Sequence, residues 1–343
     1  MTHALSPGRS RGAGDARALA ACIAAAAAIA VLVLLALSVG RYPVPPGALV
    51  AVLTGSAPAE IVTVVWQIRL PRIAGALAVG AALAAAGAAY QAMFRNPLVA
   101  PDILGVSSGA GLGAVLGIVA GAGIWEIQLA SFAGGLCAVG LVYIAAAAVP
   151  RGDPTLVLVL AGVVVGALFH AGIALATALA DPYTELPAIT FWLLGSLAGA
   201  TRADMARLLP LVLVALVPLV LLRWRINVMS LGDEEASALG VPVAKVRMAA
   251  IAAATLMTAA AVASAGVVGW VGLVVPHAAR LIVGPGFGRL LPLAALLGAG
   301  YMLAIDTLAR SLVATELPLG VLTAVVGAPV FLLLLARARR VWS

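Results

Sequence analysis

Residues 18–37 read ALAACIAAAAAIAVLVLLAL, twenty positions without a charge. At 1.5 Å per residue, a helix of that length covers about 30 Å, the thickness of a bilayer's hydrocarbon core. The stretch is apolar on every face, so it does not fit the one-sided helix of a water-soluble domain. Nor does it fit a transmembrane β-strand, which alternates polar and apolar residues over about 10 positions. Arg9, Arg11 and Arg17 precede it and give it the look of a signal peptide. Its apolar run exceeds the roughly 7–15 residues of a signal core, and no good cleavage site follows before Arg41 and Tyr42. A retained helix is expected.

The pattern recurs along the chain. Of 343 residues, 64% are hydrophobic and 10% charged, and the mean hydropathy is +1.17. Soluble domains run at about 45–50% and about 25%, so this surplus cannot be hidden from water. Breaks at Pro, Gly and charge clusters divide the chain into ten expected spans, centred near residues 29, 81, 112, 138, 167, 214, 256, 275, 296 and 327. The expected class is all-α and polytopic, with an arm at residues 1–17 and one membrane domain over 18–340. Cys22 and Cys137 fall inside apolar segments and read as small buried hydrophobes, not as a disulfide.

An even number of spans puts both termini on one side. That side carries the arm, the terminal Arg337, Arg339 and Arg340, and loops with Arg95, Arg151, Arg223, Arg225, Lys245, Arg247, Arg280 and Arg289. Arg41, Arg69, Arg72, Arg202, Arg207 and Arg310 remain for the other. The positive-inside rule makes the basic side cytoplasmic. Arg69 and Arg72, in WQIRLPR at 66–72, therefore stand outside against the bias. They suit lipid headgroups or an acidic partner.

FRNPLVAPDILGVSSGAGLGAVLGIVAG follows the second span. Its Gly105, Gly109, Gly113, Gly117 and Gly121 recur every four residues, a small-residue stripe that lets two helices approach closely in lipid. The two prolines of RNPLVAP stop one helix and start the next. GVSSG also fits G-x-S-x-G, but a nucleophile elbow needs a strand-to-helix turn, and His170 is the one candidate base within a span. The longest polar stretch, residues 223–247, carries Asp233, Glu234 and Glu235 ahead of Gly240 and Pro242. It reads as one or two short helices outside the bilayer that meet a cytosolic partner, with Met229, Leu231, Ala236, Leu239 and Val241 as apolar contacts.

The single lysine, Lys245, lies in GVPVAKVR, so the chain has no P-loop. No cluster of His, Cys, Asp or Glu has metal-ligand spacing, and His170 and His277 read as packed or capping residues. Asp306 and Arg310, in DTLAR, stand four apart and suit an i,i+4 pair. An ion-coupled secondary transporter is the competing class; it would place ionisable residues at the midplane, where this chain has few.

Taken together, WQIRLPR, FRNPLVAPDILGVSSGAG, MSLGDEEASALGVP, GWVGLVVPHAARLIVG, DTLAR and ELPLGVLTAVVGAPVFLLLL resemble the permease subunits of type II ABC importers for iron-siderophore complexes, haem and cobalamin. The likeness runs from about residue 60 to 340. It implies ten membrane helices in the inner membrane, a second permease subunit in a homodimer or related pair, cytosolic ATP-binding subunits, and a periplasmic or lipid-anchored binding protein. It further implies an iron chelate as cargo, with cobalamin as the alternative, and neither a cofactor nor a nucleic-acid partner. By the same resemblance, Arg69, Arg72 and Arg310 are outer cations that dock the binding protein. Asn96, Leu98 and Thr155 correspond to a cytoplasmic gate, although Pro154 and Leu156 stand where cobalamin relatives carry small hydroxyl residues. Leu231, Gly232, Asp233, Glu234, Ala236, Leu239, Gly240 and Val241, within about 229–243, correspond to the helices that couple to the ATPase.

Overall fold

The computed structural model describes residues 7–40, 42–149, 154–313 and 315–342, and side chains throughout these except at 7–13, 335 and 337–342. Among the described residues the regular structure is helical. In chain order the helices are α1 (Pro7–Ser38), α2 (Pro46–Leu53), α3 (Ala59–Thr63), α4 (Leu70–Met93), α5 (Val106–Val119), α6 (Ile124–Ala147), α7 (Pro154–Leu179), α8 (Glu185–Leu194), α9 (Arg202–Leu221), α10 (Arg223–Met229), α11 (Asp233–Ala238), α12 (Val243–Ala265), α13 (Val271–Val283), α14 (Phe287–Ala309) and α15 (Leu319–Trp342). A π-helical turn, Val64–Arg69, fuses α3 to α4, and a 3-10 turn, Pro101–Leu104, precedes α5.

Every expected span centre falls inside a helix, but the spans are unequal. Among the described residues seven helical runs are long and apolar enough to cross a bilayer, among them Gly14–Ser38 and the fused Ala59–Met93. α5 and α13, at 14 and 13 residues, are shorter. Each is entered through an irregular segment, residues 94–105 and 266–270, which takes up part of the depth. Such backbone is tolerated in a membrane only where protein surrounds it, and Leu104, Val106 and Val271 are fully buried. α1 begins at Pro7, within the expected arm of residues 1–17, the first six of which lie outside the described residues.

The helices alternate between two ends. One, here the basic end, holds the start of α1, α7, α12 and α14 together with α10 and α11. The opposite end holds the start of α4 and α9, the end of α14, and α2 and α8. At the centre, α4 packs against α12, α13 and α14. Two glycine pairs make the closest joints. A Cβ on Gly80 would lie 2.1 Å from the carbonyl oxygen of Gly298, and one on Gly298 would lie 2.3 Å from that of Gly80. One on Gly87 would lie 1.9 Å from the oxygen of Gly272. In lipid, where apolar surface gains little from burial, contact at this range draws on dispersion between backbones. Tyr90 on α4 meets Thr255 on α12 through a buried 3.0 Å hydrogen bond between their hydroxyls. Around this block, α1, α7 and α9 turn Leu19, Val31, Leu160, Val164, Leu168 and Leu213 outward, as lipid-facing helices do.

The glycine stripe divides. Gly109 and Gly113 seat α5 on α6, with a Cβ at 2.4 Å from the Gly134 oxygen and 2.1 Å from that of Ala130, while Gly117 faces Ile127 at 3.2 Å. Gly105 and Gly121 have φ of +73° and +67° and bracket α5 instead of lying on it. A Cβ on Gly105 would touch Gly166 at 3.4 Å, whereas one on Gly121 would meet nothing within 4 Å. Gly121 is therefore a turn residue and not a packing one: the helix ends before the stripe does.

Candidate functional site

WQIRLPR forms the π turn and the first residues of α4. Pro71 has no N–H, and its ring crowds the carbonyl four residues back, so a regular α-turn cannot close over it. The chain widens instead, with the Leu70 N–H reaching Val65 O, five residues back. In the same pattern Trp66 O would await the missing proton of Pro71. It receives the Nε–H of Arg202 at 3.0 Å instead, and the Arg202 guanidinium stands 5.7 Å from the Trp66 ring centre. Arg202, another basic residue of this end, is thus bound to the turn.

Arg69, Arg72 and Arg310 converge at this opposite end, but each is more than nine-tenths buried. Arg72 donates through Nε to both oxygens of Asp306, at 2.9 and 3.0 Å, and through one terminal nitrogen to both oxygens of Glu316, again at 2.9 and 3.0 Å. Arg69 donates to the carbonyls of Leu37 and Tyr42, and Arg310 to those of Ala36 and Val39. The last carbonyls of a helix lack intrahelical partners and carry the negative end of its dipole, so the end of α1 is capped by two guanidinium groups. Gly40 makes room for both: a Cβ there would stand 2.9 Å from Arg310 and 3.0 Å from Arg69.

The expectation that these arginines present their charge outward is therefore not what this conformation shows. A buried cation without a counter-charge is costly, and the chain answers it from within. The pairing within DTLAR is also revised: Asp306 and Arg310 stand 3.9 Å apart, and the close partner of Asp306 is Arg72, 234 residues away in sequence.

The basic end differs. After α4, Arg95 takes φ +48° and Asn96 turns the chain by accepting the Leu98 N–H on its Oδ1 at 2.9 Å. Asn96 and Leu98 are exposed and Thr155, in the first turn of α7, is partly exposed. All three gate candidates thus lie at the basic end. The stretch expected to couple folds into α10 and α11, two short helices joined by Gly232. Met229, Ala236 and Val241 point into the core at 3% exposure or less, whereas Leu231 and Leu239 stand out at 62% and 59%. Its apolar residues are therefore split, three anchors and two free contacts. Asp233 ties α11 to α12 through Arg247, at 2.7 and 2.8 Å, and leaves Glu234 and Glu235 exposed.

Between the ends, Asp102, Ser107, Ser108 and His170 share a cavity of about 240 Å3. Asp102 caps α5 by accepting the Ser107 N–H at 2.8 Å, and His170 Nδ1 lies 2.9 Å from its own helix's Gly166 O. Among the described residues neither serine is hydrogen-bonded to His170, so no nucleophile and base are paired there. His277 is buried against Phe331 at 6.1 Å, and neither ring nitrogen has a hydrogen-bond partner. Cys22 and Cys137 are both unpaired. No group of His, Cys, Asp and Glu able to hold a metal occurs among the described residues. Outside the spans, hydrogen bonds from Thr184 and Tyr183 hold the Asp181 carboxyl below its ordinary range and shape the turn before α8.

Comparison with known proteins agrees with this architecture. Residues 28–337 match the model of the FecCD transport family. A cobalamin import permease of Halobacterium salinarum is 43% identical over 290 residues, 84% of this chain and 77% of the relative. A molybdate import permease of Haemophilus influenzae is 38% identical over 309 residues, 89% of this chain and 91% of the relative. A metal-chelate type ABC transporter solved in an inward-facing conformation is 36% identical, with a TM-score of 0.82 over 92% of this chain and 98% of its own. Helical architecture, motif order and near-full coverage agree, and the chain belongs to the FecCD transport family of ABC importer permeases.

Proposed function

We propose that this permease imports a metal chelate into the cytoplasm, a ferric siderophore or haem in the first instance, with cobalamin as the second reading. The observation that carries the proposal is the likeness to the metal-chelate transporter over nearly the whole of both chains. The identity to the cobalamin permease supports the second reading. Both cargoes are bulky metal complexes, unlike the small oxyanion for which the molybdate relative is named.

In this reading the basic end is cytoplasmic, both termini with it, and two ATP-binding subunits seat on α11. Leu231 and Leu239 fill an apolar hollow of the ATPase, and Glu234 and Glu235 form the polar rim. Gly232, φ +137°, and Gly240, φ +79°, set the angles of that segment. Asn96, Leu98 and Thr155 form the cytoplasmic gate. A binding protein delivers cargo to the opposite end, where Arg69, Arg72 and Arg310 contribute by fixing the surface from beneath, or directly if their internal partners release them. A second copy of the chain completes the path.

The test is uptake into vesicles carrying the permease with its ATPase and binding protein. A labelled ferric chelate is expected to enter only with ATP, ahead of cobalamin and molybdate. Uptake driven by an ion gradient without ATPase would overturn the importer mechanism. Preference for molybdate would overturn the chelate reading alone.

A further inference from the structure

At the basic end, three spans finish around one cavity of about 390 Å3. Asp15 lies at the beginning of the apolar run of α1, Arg223 and Trp224 follow the end of α9, and Gly286, Gly288 and Arg289 sit at the start of α14. Helices that cross a hydrocarbon core about 30 Å thick have their ends among the headgroups, so a cavity bordered by three such ends opens at that level. Trp224 is 63% exposed, and an amphipathic indole is at home there.

Among the described residues the two guanidinium groups in the cavity face one carboxylate, that of Asp15. Arg223 has no ion pair among the described residues, and the one ion pair of Arg289 among them is with Asp15, at 3.9 Å between Nε and the carboxylate oxygen, its guanidinium lying against the backbone of Gly14. That carboxylate is 74% exposed and the Arg289 side chain 39%, so water or an incoming anion displaces the contact at little cost. A Cβ on Gly288 would meet only the Arg223 stem at 3.7 Å, and the nearest atoms to one on Gly286 lie at 3.5 Å or more. The cavity is open, cationic and flanked by an aromatic ring. This contrasts with Arg69, Arg72 and Arg310 at the opposite end, each of which already donates to acceptors within the protein.

We infer that Arg223 and Arg289 bind the phosphate group of an anionic phospholipid in this cavity. The planar guanidinium forks suit phosphate oxygens, and a basic pocket between spans at an anionic membrane surface gathers such headgroups. Trp224 lies along the glycerol and upper acyl region. Because α10 begins at Arg223 and leads into α11, the lipid braces the segment that carries Leu231 and Leu239.

The permease is purified, delipidated in detergent and examined by native mass spectrometry and thermal unfolding. Phosphatidylglycerol, phosphatidylcholine and inorganic phosphate are added separately. Wild type is expected to retain a phosphatidylglycerol and to unfold at a higher temperature with it, and not with the other two. R223Q/R289Q is expected to bind it about thirtyfold more weakly, at roughly 1 kcal/mol per basic residue near an anionic surface. R225Q, an exposed neighbour outside the cavity, is expected to match wild type. Equal retention by the double variant, or an equal effect of phosphatidylcholine, would overturn the site. An equal effect of inorganic phosphate would overturn the lipid as its occupant. Should the double variant not fold, Arg223→Gln alone, which breaks no ion pair among the described residues, serves the same comparison.

Discussion

The two ends of the bundle hold similar residues in opposite ways. At the opposite end Arg69, Arg72 and Arg310 lie inside, and Asp306, Glu316 and the last carbonyls of α1 accept their protons. At the basic end Arg95, Arg223, Glu234 and Glu235 face outward, and of the charged residues of α11 only Asp233 is tied back, to Arg247. Both ends are turned by proline and glycine and both are charged, so composition does not separate them. What separates them is the origin of the counter-charge. Where the chain supplies it, a substitution tests stability; where it does not, a substitution tests partners.

Arg72→Ala breaks this distinction if it is wrong. Removing the close partner of a fully buried Asp306 is expected to cost about 3–5 kcal/mol, read as a large fall in the thermal unfolding midpoint in detergent. A variant as stable as its parent would return Arg72 to the role of an outward cation. Asp233→Ala comes next, because it leaves the Arg247 side chain, 10% exposed, without its acid. The loss is about 1–2 kcal/mol, reduced because Asp233 itself is 37% exposed. Glu316→Gln keeps the shape and an acceptor, and Glu316 is 30% exposed, so about 1 kcal/mol is expected. The smallest effect on stability belongs to L231A/L239A, at about 0.5 kcal/mol or less since both project outward. In reconstituted vesicles the same pair is expected to depress ATP-driven uptake strongly, and unchanged uptake would remove them from the coupling surface.

All ten expected span centres fall in helices because each span carries a long apolar run or a glycine-marked turn, signals that are local, whereas the short α2, α3 and α8 were not anticipated. The sequence reading also found the short helices of residues 223–238, where acids, glycine and proline interrupt the apolar pattern. It did not find the partner of Arg72. Asp306 is 234 residues away, and DTLAR offered a nearer arginine at helical spacing, so local periodicity favoured the weaker contact. Nor could any pattern show that Arg69 and Arg310 cap the end of α1, because their acceptors are backbone carbonyls, present at every residue. The division of the apolar residues of this segment into buried and exposed ones was hidden for a related reason. Ala236 and Leu239 share a segment, and only the way α11 rests on α12 decides which is covered. Gly121 was misread because the four-residue period continues past the point where the helix stops.

The glycine joints of α4 limit how this protein can move. With no side chain between Gly80 and Gly298, or between Gly87 and Gly272, the helices meet backbone to backbone, and the residues on either side are larger. Sliding α4 along α14 by one position would drive an alanine methyl into a carbonyl oxygen, so the joints work as keyed stops that resist translation. The block of α4, α13 and α14 is therefore expected to travel as one piece, with any opening to either side falling to the helices around it. Spin labels on α4 and α14 should keep their separation through the ATP cycle while labels on α4 and α7 change theirs.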